Sequence, residues 1–280
     1  MNFKNKFTVA FDFSEKCVQT VTDLIIIAEQ CNAELELIYV IEENSVDGIL
    51  NDPSYIKDIE NKIYLRFNEL LINTWGNNHS KIKLIPLKGK VAAELIEYTK
   101  SNESNLLINC CSSQQNSTER YIGSNTQRVI ANCLIPVLTI DAKLKNTFFN
   151  HILIPLDSQQ FFIESNSLLA FLNGQHVKQV SLIYVLYETD DFRINKHILK
   201  IDEIKSSLSA AGIKVFAEVI KSNYDLQDAS KVINRYIERG EMTSVMILNK
   251  KSLPKTEFHV QPRIMDILLE SSVPVITLNY

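Results

Sequence analysis

Gly123-Ser124 opens the run Gly123-Ser124-Asn125-Thr126-Gln127-Arg128-Val129, which reads as the start of a helix. A helix N-terminus presents unpaired N–H groups, and a serine hydroxyl adds a donor, so the pair is a candidate anion seat. It is equally a helix start in which serine serves the first turn. Cys110-Cys111 offers a redox couple on paper. Adjacent residues of a strand point to opposite faces, which strains a mutual disulfide, so the two read as small buried hydrophobes. The segment Lys250–His259, with Arg263, is locally basic and reads as a solvated loop. The paired carboxylates Glu42-Glu43 and Asp190-Asp191 have no partner histidine, and His79, His151, His176, His197 and His259 are scattered without HxxxH or HExxH spacing. Neither GxSxG nor GxxxxGK[ST] occurs. These residues form no catalytic set, and the expectation is a protein that is not an enzyme.

Composition narrows the partners. Residues 1–142 carry 13 Lys+Arg against 18 Asp+Glu, and residues 143–280 carry 16 against 15. Neither half has the basic excess that phosphate-backbone binding needs, so nucleic acid is not an expected partner. No stretch reaches the length of apolar sequence that spans a bilayer. The first residues, MNFKNKFTVAFDF, lack the apolar core and cleavage site of a secretory signal. The five cysteines (Cys17, Cys31, Cys110, Cys111, Cys133) are odd in number and form no CxxC pair. They read as reduced thiols, and the expected location is cytoplasmic.

The elements that must position these residues occur twice. Leu37-Ile38-Tyr39-Val40 recurs as Leu182-Ile183-Tyr184-Val185, and Asp12 of FTVAFD has a counterpart in Asp157 of HILIPLD. Ile135-Pro136-Val137-Leu138-Thr139 recurs as Val273-Pro274-Val275-Ile276-Thr277. Three matches in one order predict a tandem repeat, with domains at 1–142 and 148–280 and a polar join near 141–150. Each copy reads β-α-β-α-β-α-β-α-β. Strands are expected at Phe7–Phe11, Leu35–Ile41, Ile82–Leu87, Leu106–Asn109 and Pro136–Ile140, and Ser14 is placed to cap the first helix. Such alternation implies a five-stranded parallel sheet per copy, covered on both faces by crossover helices. The last strands, ending at Ile140 and Leu278, are apolar sheet edges and are expected to join the halves about an approximate two-fold axis.

The element order, the Asp closing the first strand, the LIYV second strand and the helix-IPVLTI ending resemble the universal stress protein family, twice over. The resemblance implies Rossmann-like α/β domains that dimerise or occur in tandem, here an intramolecular pseudo-dimer. Many members bind ATP with a G-x2-G-x9-G-[S/T] loop after the fourth strand. Carried over, the last pair of that motif falls on Gly123-Ser124, but the first two glycines fall on Cys110 and Ser113. The other contacts map to Asp12 and Val40, with Phe13 where many members have a small residue. Asp12 then either contacts adenine or ribose, or only caps its own turn. In the second copy Gly123-Ser124 corresponds to Gln261-Pro262, and no glycine follows Gly240. Proline suits a first helical turn but lacks the N–H an anion would use.

The implied function is a non-enzymatic stress-response or signalling protein that works through an unidentified protein partner. Its nucleotide site is degenerate, at Asp12, Val40, Cys110, Ser113, Gly123 and Ser124. The alternative is an ATP- or AMP-binding switch in the first copy. The tandem chain is also a candidate for further homodimerisation.

Overall fold

A computed structural model describes residues 5–42, 53–76, 81–110, 121–140, 144–156, 165–186, 191–221, 229–249 and 262–279. In the first half the elements are β1 (Asn5–Ala10), α1 (Glu15–Gln30), β2 (Ala33–Glu42), α2 (Pro53–Leu70), β3 (Ile82–Gly89), α3 (Val91–Ser101), β4 (Leu106–Cys110), α4 (Ser124–Asn132) and β5 (Val137–Ile140). The second half repeats the order with β6 (His151–Leu156), α5 (Ser165–Gly174), β7 (Gln179–Leu186), α6 (Asp191–Ala210), β8 (Lys214–Lys221), α7 (Ala229–Arg239), β9 (Ser244–Asn249), α8 (Pro262–Glu270) and β10 (Val275–Asn279).

All ten strands form one sheet in the order β3-β2-β1-β4-β5-β10-β9-β6-β7-β8. Each half is parallel within itself, and the halves meet through an antiparallel β5–β10 pair, as expected for the two last strands. Val275 faces Thr139, Ile276 faces Leu138 and Thr277 faces Val137. Under the repeat correspondence Leu138 is equivalent to Ile276, so the central pair consists of equivalent residues. The flanking pairs exchange under the same correspondence, which is the signature of an isologous contact.

The strand sequences explain the burial. Leu106, Leu107 and Ile108 are all fully buried, because a central parallel strand is covered on both faces. One core lies under α1 and α2 and continues through Leu144, Phe148 and Phe149 to Phe171, Leu172 and Ile201 of the second half. The other lies under α3, α4, α7 and α8. The join is therefore less polar than its sequence reads: Phe148 and Phe149 are buried, and Phe149 packs on Phe7 and Phe171.

Helix α1 shows how the local sequence sets an element. Ser14, in extended conformation, accepts the Cys17 N–H through its side chain, the capping bond its type and place predict. Cys17, Val21, Leu24, Ile25 and Ala28 then bury one face. The helix ends where Asn32 takes a positive φ of 48°, a conformation asparagine tolerates at a helix C-terminus.

Candidate functional site

The sheet order reverses between β1 and β4, so the crevice of the first half opens at the carboxyl ends of these strands. Asp12 sits at its rim. Its Oδ1 accepts the Ser14 N–H at 2.9 Å, so the carboxylate closes the turn that launches α1. Phe13 follows with φ 59°, and its ring is buried against Phe11 and Tyr39, with the Arg66 guanidinium 4.8 Å from the ring centroid. Arg66 Nη2 also donates to the Phe13 carbonyl at 3.3 Å. An aromatic side chain therefore packs beside Asp12, at the position where the resemblance places a small residue.

Val40 is half-buried on β2, opposite Leu87 of β3, and packs into the core under α3 and α4. Cys110 ends β4 and packs into the other core, under α1 and α2. The sheet thus separates two of the proposed contacts onto opposite faces. Ser113 and Cys111 lie outside the described residues, as do Gln261 and the basic segment 250–259.

Gly123 caps α4 with φ −58° and ψ 151°, and a Cβ there would meet nothing within 4 Å. Glycine is not required by backbone or space at this position. Ser124 is the first helical residue and is exposed. It lines a groove of about 360 Å³ with Glu42, Gly89, Lys90, Val91, Asn125 and Arg128. Neither Lys90, which caps α3, nor Gly123 makes a side-chain capping bond, so two helix N-termini open on this groove without a side-chain cap. With Lys90 and Arg128 they favour an anion, and Glu42 opposes one. Gly89 is favoured as glycine by its φ of +147°, which side chains rarely adopt. Sequence reasoning missed Gly89, Lys90 and Arg128. A glycine just before the third helix was the available signal.

Sequence reasoning also missed Cys17 as the companion of Cys110. Cys17 Sγ lies 3.5 Å from Cys110 Sγ and 3.5 Å from the Ala10 carbonyl. The hydrogen bond from Cys17 holds the Cys110 thiol below the ordinary thiol range; burial opposes this, and Thr20 and Lys16 reinforce it. The same bond, followed by burial, raises Cys17. The opposed shifts mean that, of the two thiols, Cys110 is the one to give up its proton first.

In the second half, Pro262 opens α8, so the equivalent helix start lacks one donor. A separate hollow of about 540 Å³ lies at the amino ends of β6, β7 and β8, the end away from the usual ligand crevice. There His151 Nε2 lies 2.8 Å from Ser181 Oγ, and burial favours its neutral form. Among the described residues no cluster of His, Cys, Asp or Glu is arranged to hold a metal, and no helix is long and apolar enough to cross a membrane.

Comparison with known proteins agrees with this architecture. The model of the Universal stress protein family matches residues 4–141. Universal stress protein MJ0531 of Methanocaldococcus jannaschii is 25% identical over 144 residues, covering 50% of this chain and 83% of its own. A universal stress protein from Archaeoglobus fulgidus DSM 4304 superposes with a TM-score of 0.74 at 16% identity, covering 99% of both chains. A protein of unknown function from Pseudomonas aeruginosa PAO1 superposes with a TM-score of 0.60 at 10% identity, covering 99% of this chain and 93% of its own. The family model places residues 4–141 in the universal stress protein family, and the whole-length likeness shows that the second half repeats the same fold.

Proposed function

We propose that this protein is a non-enzymatic member of its family that acts in stress response or signalling, with its two halves forming a pseudo-dimer within one chain. Family membership supports the stress-response role. The domains are proposed to span 1–142 and 148–280. The nucleotide site of the first half is degenerate and that of the second is lost. One observation carries this reading: where the resemblance asks for a phosphate-wrapping glycine, Cys110 places a side chain against Cys17 at the crevice between β1 and β4. A Cβ and a sulfur there keep a triphosphate from the backbone N–H groups that would grip it. Asp12, already bonded to Ser14, and the buried Phe13 ring support the same conclusion on the adenine side. The proposed output is contact with a protein partner in the cytoplasm, with further homodimerisation of the tandem chain left to mass-sensitive measurement.

The second reading is an ATP- or AMP-binding switch in the first half. The groove at Ser124, with its two uncapped helix starts, Lys90 and Arg128, favours it. Calorimetric titration with AMP and ATP separates the two readings. A degenerate site binds weakly and prefers the ligand with fewer phosphates. Ser124→Ala, which removes one charge-assisted hydrogen bond, is then expected to cost about 1.5–3 kcal/mol of AMP affinity. Nanomolar ATP binding to wild type overturns the degenerate site in favour of the switch. An unchanged affinity in Ser124→Ala moves the site elsewhere.

A further inference from the structure

Two thiols from distant parts of the chain meet at the reversal point of the first half. Cys17 lies in the first turn of α1 and Cys110 is the last residue of β4, 93 positions apart in sequence, with their sulfurs 3.5 Å apart. Their surroundings differ. Cys17 is fully buried, whereas Cys110 is only partly covered. The single S–H of Cys17 has two acceptors, the Ala10 carbonyl and the Cys110 sulfur. As Cys110 loses its proton, the Cys17 S–H turns to it and stabilises the thiolate. Lys16 favours that thiolate and Asp12 opposes it. The other described cysteines lack this arrangement: Cys31 is buried against the Gln175 carbonyl, and Cys133 is buried beside the Thr99 hydroxyl.

We propose that Cys17 and Cys110 form an oxidisable dithiol that a hydroperoxide converts to an intramolecular disulfide across the β1–β4 crevice. In the first step the Cys110 thiolate attacks one peroxide oxygen. The O–O bond breaks, the departing hydroxide takes a proton to become water, and Cys110 is left as a sulfenic acid. In the second step the Cys17 sulfur attacks the Cys110 sulfur. The S–O bond breaks, the hydroxide leaves with the Cys17 proton as a second water, and the S–S bond forms. The two thiols lose two electrons and two protons, and hydrogen peroxide is reduced to two waters. The half-buried member attacks and the fully buried member resolves. Bringing contacting sulfurs to bonding distance needs an approach of roughly 1.5 Å. The bridge would tie the first turn of α1, and with it the Asp12 turn, to the end of β4.

The test uses the full chain, reduced, desalted and treated with stoichiometric hydrogen peroxide. Intact-mass measurement is expected to show loss of two hydrogens, and peptide mapping without reductant to show Cys17 joined to Cys110. Dithiothreitol restores the original mass. Cys111→Ser keeps the bridge, which separates it from any bond to the adjacent thiol. Cys17→Ser stops the reaction at the sulfenic acid, trapped on Cys110 by dimedone, and Cys110→Ser gives neither product. Cys110 is expected to react roughly tenfold or more faster than Cys31 or Cys133. A bridge to Cys111, a disulfide between chains as the main product, or Cys110 no faster than the buried cysteines overturns the proposal. The wild-type map alone can do so if a variant fails to fold.

Discussion

Phe13 holds φ at 59°, a conformation that costs a non-glycine residue on the order of 1–3 kcal/mol. Its ring contacts with Phe11 and Tyr39, the Arg66 cation and the Arg66 bond to its carbonyl offset that cost. The strain is thus held by packing, beside the turn that Asp12 closes. Chemistry at this scale was only partly legible in the sequence. Asp12 and Ser14 announced a turn and a cap because short polar side chains bond their own backbone. Cys17 and Cys110 could not be matched by spacing, since only the β1–β4 adjacency brings them together. Cys31 permits a prediction on pH. Burial pushes its thiol up to about 11 from a reference of 9.0. Above pH 9 the unfolded chain therefore sheds a proton that the native chain retains, and stability falls as pH rises toward 11. The group contributes roughly 2–3 kcal/mol of that fall, at 1.36 kcal/mol per unit. Urea unfolding of wild type and Cys31→Ala between pH 8 and 11 is expected to show a shallower decline in the variant; parallel curves would refute it.

The element that organises the molecule is the β5–β10 pair. The repeat made it legible, because equivalent apolar strands at the ends of two copies leave two edges that can satisfy each other. Other features of this scale were not legible. After α2 the chain makes a wider turn of π-helix, Leu71–Trp75, which precedes Gly76. It ends with Trp75 buried against Phe11 and Phe67, its indole N–H on the Thr22 hydroxyl at 3.1 Å. Periodicity counted at 3.6 residues cannot anticipate such a shift. The strand pair also carries an avoidable cost. Thr139 on β5 and Thr277 on β10 are equivalent residues, both buried, and neither hydroxyl has a hydrogen-bond partner among the described residues. Valine keeps the branched shape and removes the unpaired group. Thr139→Val and Thr277→Val are each expected to stabilise the protein by about 1 kcal/mol or more, read as a higher denaturant midpoint at unchanged slope. A loss of stability in both would show that those hydroxyls have partners in solution.

At the scale of the whole molecule, the halves share more than one strand pair. Asn279 of β10 donates to the Ile130 and Cys133 carbonyls at 2.8 and 2.7 Å, so the second half caps the end of α4 in the first. Asn5 of β1 donates to the carbonyls of Cys31 and Gly174, both at 2.8 Å, tying the ends of α1 and α5. Between them, Phe148 and Phe149 continue one apolar core from Phe7 to Phe171. Separating the halves would uncover this core and exchange these hydrogen bonds for water, at about 0.5–1.5 kcal/mol for each bond. Linked domains with thin interfaces unfold in separate steps, whereas a shared core makes partial unfolding unfavourable. Heating is therefore expected to give a single calorimetric transition, with calorimetric and van't Hoff enthalpies equal. Asn279→Ala strips two hydrogen bonds from the seam and should lower that one transition by several degrees, since about 1 kcal/mol shifts the midpoint of a chain near this size by roughly 2–4 °C. The same variant also tests where the coupling lies. If the seam couples the halves, the transition moves whole and stays single. Two resolved transitions in the wild type, or a variant in which only one of two transitions moves, would mean that each half is stable alone and that the continuous sheet adds contact without cooperativity.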